Sequence, residues 1–542
     1  MGSIDAIVLV VAVWLLWKLL GKMLARSPLD NIPGPPSSSF LQGNMREYMD
    51  RQGWDFQDQM AEKYGSVVKL HDILGGRALL IHDPRAMHSV LNRDQDSYEF
   101  AKWVLDWDRS VFGPGILSVA GENHRRQRKM LNPAFSTSHI REMTPVFYGV
   151  ADRLGKAIEM HLNGARKEVD ILNWMSRAAL EIIGQAGLGY SFDPLTHEIK
   201  NDLADALKRL LPATFDLITF QLLSSYYMHI GSPGFRRWIL DHIPNAKIQE
   251  FKNIVDTIDR QSREILRDKK AALEKGDEVL KQQVGKGKDI LSILLRMNSS
   301  DNEPLEEEEI LGQMSTFALA ATDTTSNALS RTVQLLAEHQ DVQEKLRAEV
   351  VEASDSDGRM AYEKLVDLPY LDAVCRETLR VYPPGIFALR DTLRDTVIPI
   401  SDPITGVDGS RIDEIFVPKG TSIIINIRSS NRNKELWGDD AHEWKPERWL
   451  SPLPAAVAET RMPGVYSNLM SFSGGNRACI GFKFSQLEMK VILSTLLARF
   501  RFSPSDKDIV WNISGIVYPT VGKLSTKPSL PVMVEPIDAE AI

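Results

Sequence analysis

The segment Phe472-Ser-Gly-Gly-Asn-Arg-Ala-Cys-Ile-Gly481 holds the most chemically specific arrangement in the chain. Cys479 lies two residues after Arg477 and two before Gly481, where a helical run from Phe482 to Phe500 begins. A thiolate facing the start of that helix would be favoured by its unpaired amides and dipole, and would be a soft donor to a transition metal. Arg477 is placed to meet an anionic group of the same cofactor through charge-assisted hydrogen bonds. Glycines 474, 475 and 481 permit the backbone φ values and close approach that a bulky planar ligand needs. The plainer alternative for a single cysteine in a glycine-rich turn is a buried free thiol.

A second constellation, Ala320-Ala-Thr-Asp-Thr-Thr325, sits in the middle of the longest helical pattern, Glu306 to His339. Threonines and an aspartate are poor helix formers in so apolar a stretch, so Asp323 and Thr324 read either as a proton-handling pair or as a local polar kink. His124 and Arg128 are four apart on the basic helix that starts at Gly121, so they share a face and can meet one anion. A solvated basic face is the bland reading of that cluster. Glu377 and Arg380, three apart on a helix stopped by Pro383-Pro384, form a candidate internal pair, with Arg448 of Pro446-Glu-Arg-Trp449 downstream.

The cysteine segment resembles the signature of the cytochromes P-450, F-x-x-G-x-R-x-C-x-G, at Phe472, Gly475, Arg477, Cys479 and Gly481. The resemblance implies that Cys479 is the metal ligand of a haem with an axial thiolate, with Phe472 and Arg477 beside it. It further implies that His124, Arg128 and Arg390 hold the propionates. Glu377, Arg380 and Arg448 would then form a structural lock on the haem side. The family pattern [AG]-G-x-[DE]-T-[TS] is met at Asp323 and Thr324, which makes them the catalytic acid and alcohol that pass protons to dioxygen. Ala321 stands where the family has glycine, so a narrower or differently bent groove is expected there. The tail segment Ser514-Gly-Ile-Val-Tyr-Pro519 corresponds to a turn that enters the active site.

The elements around these residues suggest mainly α structure with a smaller β region (α+β), organised as the cytochrome P-450 fold in one large domain. At 542 residues the length alone would allow several domains, yet no low-complexity linker divides the chain. Residues 4 to 24 read as a membrane helix of about the 20 residues needed to span. Residues 1–27 are therefore expected to be an N-terminal transmembrane anchor, 28–36 a proline-rich hinge and 37–542 the catalytic domain. Lys18, Lys22 and Arg26 follow the apolar run, which puts the catalytic body on the cytosolic side of the endoplasmic reticulum membrane, single-pass. Two hairpins are expected, one between Gly65 and Asp83 and one across Val417-Pro-Lys-Gly-Thr-Ser-Ile-Ile-Ile-Asn426.

The net charge of −8 argues against a nucleic-acid partner, and two cysteines exclude a disulfide framework or a cysteine-rich zinc site. No dinucleotide fingerprint or nucleophile elbow occurs in the sequence. Electrons must then arrive from outside, and the resemblance implies an NADPH-dependent cytochrome P-450 reductase, with cytochrome b5 as a further donor. The expected activity is a monooxygenase acting on a lipophilic small molecule, with a loose likeness to fungal microsomal members that decorate terpenoids. A reductase-independent haem-thiolate isomerase or dehydratase and a non-catalytic haem-binding protein are the alternatives. Tyr98 to Trp107, Leu210 to Leu223, Phe317 to Ala321, Ile386 to Leu389 and Ile516 to Val517 are the expected pocket segments.

Overall fold

The computed structural model describes residues 26–196, 202–215, 217–275, 287–301 and 303–537. The expected membrane helix at 4–24 lies outside the described residues. Among the described residues no helix is long and apolar enough to cross a membrane. The body is mostly helical with a smaller sheet region, as the sequence pattern leads one to expect.

The helical part is built on Glu307–Glu338, about 48 Å long at 1.5 Å per residue. Its first turn carries Glu307, Glu308 and Glu309, which suits the positive end of the helix dipole, and the Glu309 carboxylate accepts from the amide of Glu306 at 2.9 Å. Most of its length is buried, so it acts as an axle rather than a surface helix. Helices Thr137–Leu162, Ile171–Ile182, Pro369–Val381 and Phe482–Leu497 contribute with it to one large apolar core. The chain crosses close above its N-terminal half at Gly115, where a side chain on Gly312 would come within 2.5 Å of the Gly115 amide nitrogen. That approach lets the amide of Ile116 donate to Gln313 at 3.1 Å.

The main sheet has five strands in the order Val67–His71, Arg77–Ile81, Ser422–Asn426, Phe387–Thr392 and Tyr98–Glu99. Successive residues alternate faces. Val67, Leu79, Ile81, Ile423 and Ile425 therefore pack on one side with Leu29, Ile32 and Met470, while Val68, Leu70, Leu80 and Ile424 pack on the other with Tyr48 and Met60. The hairpin expected between Gly65 and Asp83 forms, with Val67 opposite Ile81. The second expected hairpin does not. Arg411–Val417 pairs with Thr396–Thr405, whereas Ser422–Asn426 inserts between two strands of the main sheet. The Pro418-Lys-Gly turn passes the chain from one sheet to another, because the run Ile423-Ile-Ile425 is apolar on both faces and must be covered on both.

The proline-rich segment is welded to the body. Ser27 caps a short helix, Pro28–Asn31, in a reciprocal box with Asp30, and Asp30 pairs with Arg77 at 2.9 Å. Leu29 and Ile32 are buried against the sheet. A side chain on Gly34 would fall 1.9 Å from the Lys69 carbonyl oxygen.

The charged trio closes as the sequence suggests. Glu377 and Arg380 are fully buried, and Arg380 donates to both carboxylate oxygens at 2.8 Å. The same carboxylate accepts from Trp449 Nε1 at 2.9 Å and from the Lys445 amide at 3.0 Å, with Arg448 Nε at 3.5 Å. Arg380 spends its remaining donors on the carbonyls of Asn431, Ala441 and Glu443. Asn431 in turn receives the Met470 amide at 2.7 Å and donates to Ser471 Oγ at 2.9 Å. The network therefore ends on the strand that leads to Cys479. Removing one member strands the others without partners in the interior, at a cost of about 3 to 5 kcal/mol. Glu377→Ala and Arg448→Ala should both lower the yield of folded protein and the thermal midpoint, and either variant melting within a degree of the parent would show the trio to be dispensable.

Candidate active site

One cavity of about 340 Å³ brings the two sequence constellations together, a size typical of small-ligand sites. Cys479, Phe472, Arg477, Arg128, His124 and Thr324 all line it. Cys479 is exposed to this cavity. Its amide donates to the Phe472 carbonyl at 2.9 Å, which closes the loop, and Gly481 caps the helix Phe482–Leu497 just beyond. Burial raises the thiol's pKa, opposed by the Gly481 amide and by Arg128. The glycines serve different needs. Gly475 has φ +69°, and a side chain there would lie 1.8 Å from the Leu91 carbonyl oxygen. A side chain on Gly474 would meet the Pro463 carbonyl oxygen at 2.1 Å. Both glycines thus admit neighbouring backbone rather than a ligand, and Gly481, with φ −90°, has only ordinary contact with Phe135.

The basic groups converge. Arg477 donates to Glu99 at 2.7 Å and to the carbonyls of Ile116 and Val119. Arg128 donates to the Ala478 carbonyl at 2.6 Å. Arg390 does not line the cavity. It lies behind Phe100, whose ring it shares with Arg477 at 4.4 and 4.8 Å from the centroid. Burial and then the fields of Arg477, Arg128 and Arg390 push the His124 pKa down to about 3, so the ring is neutral at ordinary pH. Burial and Arg477 lower Arg390 to about 10, and burial lowers Arg128 and Arg477 as well. Glu99 is the partner that sequence reasoning missed, for nothing in its neighbourhood distinguishes it from a surface acid.

The long helix runs unbroken past Ala321. Thr322 and Thr324 donate back to the carbonyls of Ala318 and Ala320 at 2.7 Å, which settles their hydroxyl protons within the helix. Ala320, Ala321, Thr324 and Thr325 line the cavity with Phe317, and Thr325 meets Ser485, a partner unsuspected from sequence, at 3.1 Å. The Asp323 side chain is not part of the lining. Desolvation alone raises its pKa to about 7. Of the expected pocket segments, Phe100, Phe317, Ala320, Ala321 and Ile516 reach the cavity, and Ile116, Pro384 and Gly385 reach it from outside those segments. Ile386 to Leu389 do not, because Phe387, Ala388 and Leu389 pair with Ser422–Asn426 and Ile386 packs with Trp511 and Val517, and Leu210 and Leu217 are buried in the main core.

A scan against family models matches "Cytochrome P450" over residues 33–523. "Cytochrome P450 monooxygenase 91" of Postia placenta is 52% identical over 524 residues, 96% of each chain. Ganoderic acid synthetase of Ganoderma lucidum is 46% identical over 544 residues, covering 98% of this chain and 99% of the relative. A cytochrome P450 of Hericium erinaceus is 37% identical over 529 residues, 95% and 96% of the two chains. The chain belongs to the cytochrome P450 family. It is a monooxygenase with haem as its cofactor. The cavity suits that group. It offers a sulfur donor, aromatic walls, a cluster of buried cations with Glu99 paired to Arg477, and hydroxyls on Thr316 and Ser473 that lack a partner among the described residues.

Asp323 also sets a pH dependence. Its folded pKa near 7 exceeds the ordinary 3.8, so the folded state binds the proton more tightly. Stability from this group is full below 3.8 and is lost as pH rises toward 7. Asp323→Asn should therefore be more stable than the parent at pH 8, with the gap closing by pH 4. Parallel unfolding curves at both pH values check this, and a constant gap would mean that Asp323 is not desolvated.

Proposed function

We propose that Cys479 would supply the thiolate ligand of the haem, with His124, Arg128 and Arg477 placed to hold its propionates and Arg390 reinforcing their field from behind Phe100. The observation that carries this reading is the single cavity shared by Cys479, the basic cluster and the Phe317–Thr324 wall. The haem, when bound, supplies reductive activation of dioxygen and transfer of one oxygen atom to carbon.

The chain's own residues do the rest. With its proton donated to the Ala320 carbonyl, the Thr324 hydroxyl turns its lone pairs to the cavity and can hold a proton-bearing water in place. Asp323, with a pKa near 7, exchanges protons at working pH and refills that position from the solvent side. Phe100, Ile116, Phe135, Phe317 and Ile516 exclude water and favour a lipophilic substrate. A terpenoid is the class favoured, supported by the likeness to ganoderic acid synthetase.

Electrons come from an NADPH-dependent reductase at the membrane, docking near the exposed Arg125 and Lys129 of the helix Gly121–Leu131. Membrane residence is supported by the apolar run at 4–24 and by exposed Phe220, Tyr226, Ile230, Phe235 and Trp238 on the body. The catalytic domain faces the cytosol of the endoplasmic reticulum in this reading.

Cys479→Ser should retain the fold but lose the thiolate-type spectrum of the reduced carbon-monoxide complex. A thiolate spectrum in the serine variant would remove Cys479 from the site. Thr324→Ala should keep substrate binding and NADPH consumption while product falls by about 100-fold or more and hydrogen peroxide rises. Metabolite profiling in yeast with a reductase and a terpenoid panel reads both outcomes, and full product without the reductase would point to the isomerase alternative instead.

A further inference from the structure

A second cavity, of about 400 Å³, adjoins the first, and Pro384 lines both. Ile516 faces the haem-side cavity while its neighbour Val517 faces the second one, so the two are separated by a thin wall. Three arginines line this second cavity, Arg331, Arg428 and Arg432. Among the described residues, one carboxylate is ion-paired with them, that of Asp58 on Arg428.

Arg331 projects from the long helix two turns beyond Thr324. Its guanidinium is sandwiched between Tyr382 and Trp511, 3.9 and 4.4 Å from the ring centroids, and its hydrogen-bond acceptor is the neutral amide of Gln334 at 3.2 Å. The Nε atoms of Arg331 and Arg432, and Oδ1 of Asn327, are shielded from solvent and have no hydrogen-bond partner among the described residues. Burial, helped by the field of Arg428, lowers Arg331 and Arg432 to about 10. A stacked arginine alone is ordinary packing. Three gathered against the ion-paired Asp58 carboxylate and the more distant field of Glu338 on Arg331 are not, since like charges in a low dielectric repel. The contrast within this fold is Arg380, whose every donor is matched by Glu377 and three carbonyls.

We propose that this second cavity is a binding site for the carboxylate of a lipophilic acid. A guanidinium fixed between two rings presents its edge for bidentate contact with a planar carboxylate. The rings of Trp54, Tyr382 and Trp511 give the apolar body a surface to lie on. The acid is either the polar end of a substrate that passes Pro384 into the haem-side cavity or a separate molecule held beside it. The proposal does not depend on the assignment of Cys479.

Equilibrium dialysis of the haem-loaded protein, without reductase, against abietic acid and its methyl ester tests this. The acid should bind roughly 10- to 100-fold more tightly than the ester, the difference expected for one or two charged hydrogen bonds. Arg331→Gln and Arg432→Gln should each erase most of that preference while leaving ester binding and haem content unchanged. Competition by 4-phenylimidazole would place the acid's body in the haem-side cavity, and independence from it would confine the acid to the second one. Either result keeps the site. Equal binding of acid and ester, binding of inorganic phosphate without acid preference, or a haem-replete Arg432→Gln that retains the preference would overturn it. If Arg331→Gln does not fold, Arg432→Gln and the acid-to-ester ratio of the parent decide. No turnover is needed, so failure here leaves the monooxygenase reading standing, and failure of that reading leaves this binding test intact.

Discussion

The rest of the structure hangs on the Glu377 carboxylate. It is buried, and its two oxygens gather Arg380, Arg448, Trp449 and the Lys445 amide, tying the helix Pro369–Val381 to a segment more than sixty residues later. Through Arg380 the same hub fixes Asn431, and through Asn431 it fixes Met470 and Ser471. The next residue, Phe472, receives the Cys479 amide at its carbonyl. A carboxylate with no place in the cavity thus sets the position of the cysteine that faces it. The arrangement has a physical logic, because a buried charge tolerates few geometries and so transmits position more strictly than apolar contact does.

The polar and apolar sides of the cavity are held by different means. The long helix holds Thr322, Thr324 and Thr332 in place by bonding their hydroxyls to its own carbonyls, so the wall opposite the cysteine loop is held by local chemistry. The cysteine loop is rigid by long-range chemistry, including Gly475 under the Leu91 carbonyl and Arg477 clamped on Glu99. Asp323 is held in neither way. It is shielded and, among the described residues, paired with no cation, and desolvation leaves its proton labile near neutrality.

What could be read from the sequence was what lies close together along the chain. The Phe472–Gly481 pattern, the helix around Thr324 and the hairpin at 67–81 each carry their evidence within a few residues. What escaped was decided by partners far away. Ile423-Ile-Ile425 looked like half of a local hairpin, and it enters a different sheet because both its faces demand cover. Arg390 sits one aromatic ring behind the cavity wall, and no spacing rule could place Phe100 between them. The second cavity draws Trp54, Arg331, Arg428 and Trp511 from four distant stretches, so no motif announces it. Asn512 is a further instance. It opens an Asn-Ile-Ser sequon, but its side chain is buried and bonded to Gln52, Val510, Tyr518 and Thr520, so a sugar could not be accommodated in the folded state on either side of a membrane.

The docking of residues 27–34 onto the sheet bears on how shortened versions of this protein should be designed. The prolines invite a cut after Pro36, at what reads as the start of the domain. Such a cut would discard the Ser27 cap, the Asp30–Arg77 ion pair and the Leu29 and Ile32 side chains, and it would uncover an apolar strip along the first two strands. A strip of that kind on a sheet is an invitation to aggregation. The first residue worth keeping is therefore Ser27 or one before it, and the segment that resembles a linker is better treated as the outermost stave of the sheet's cover.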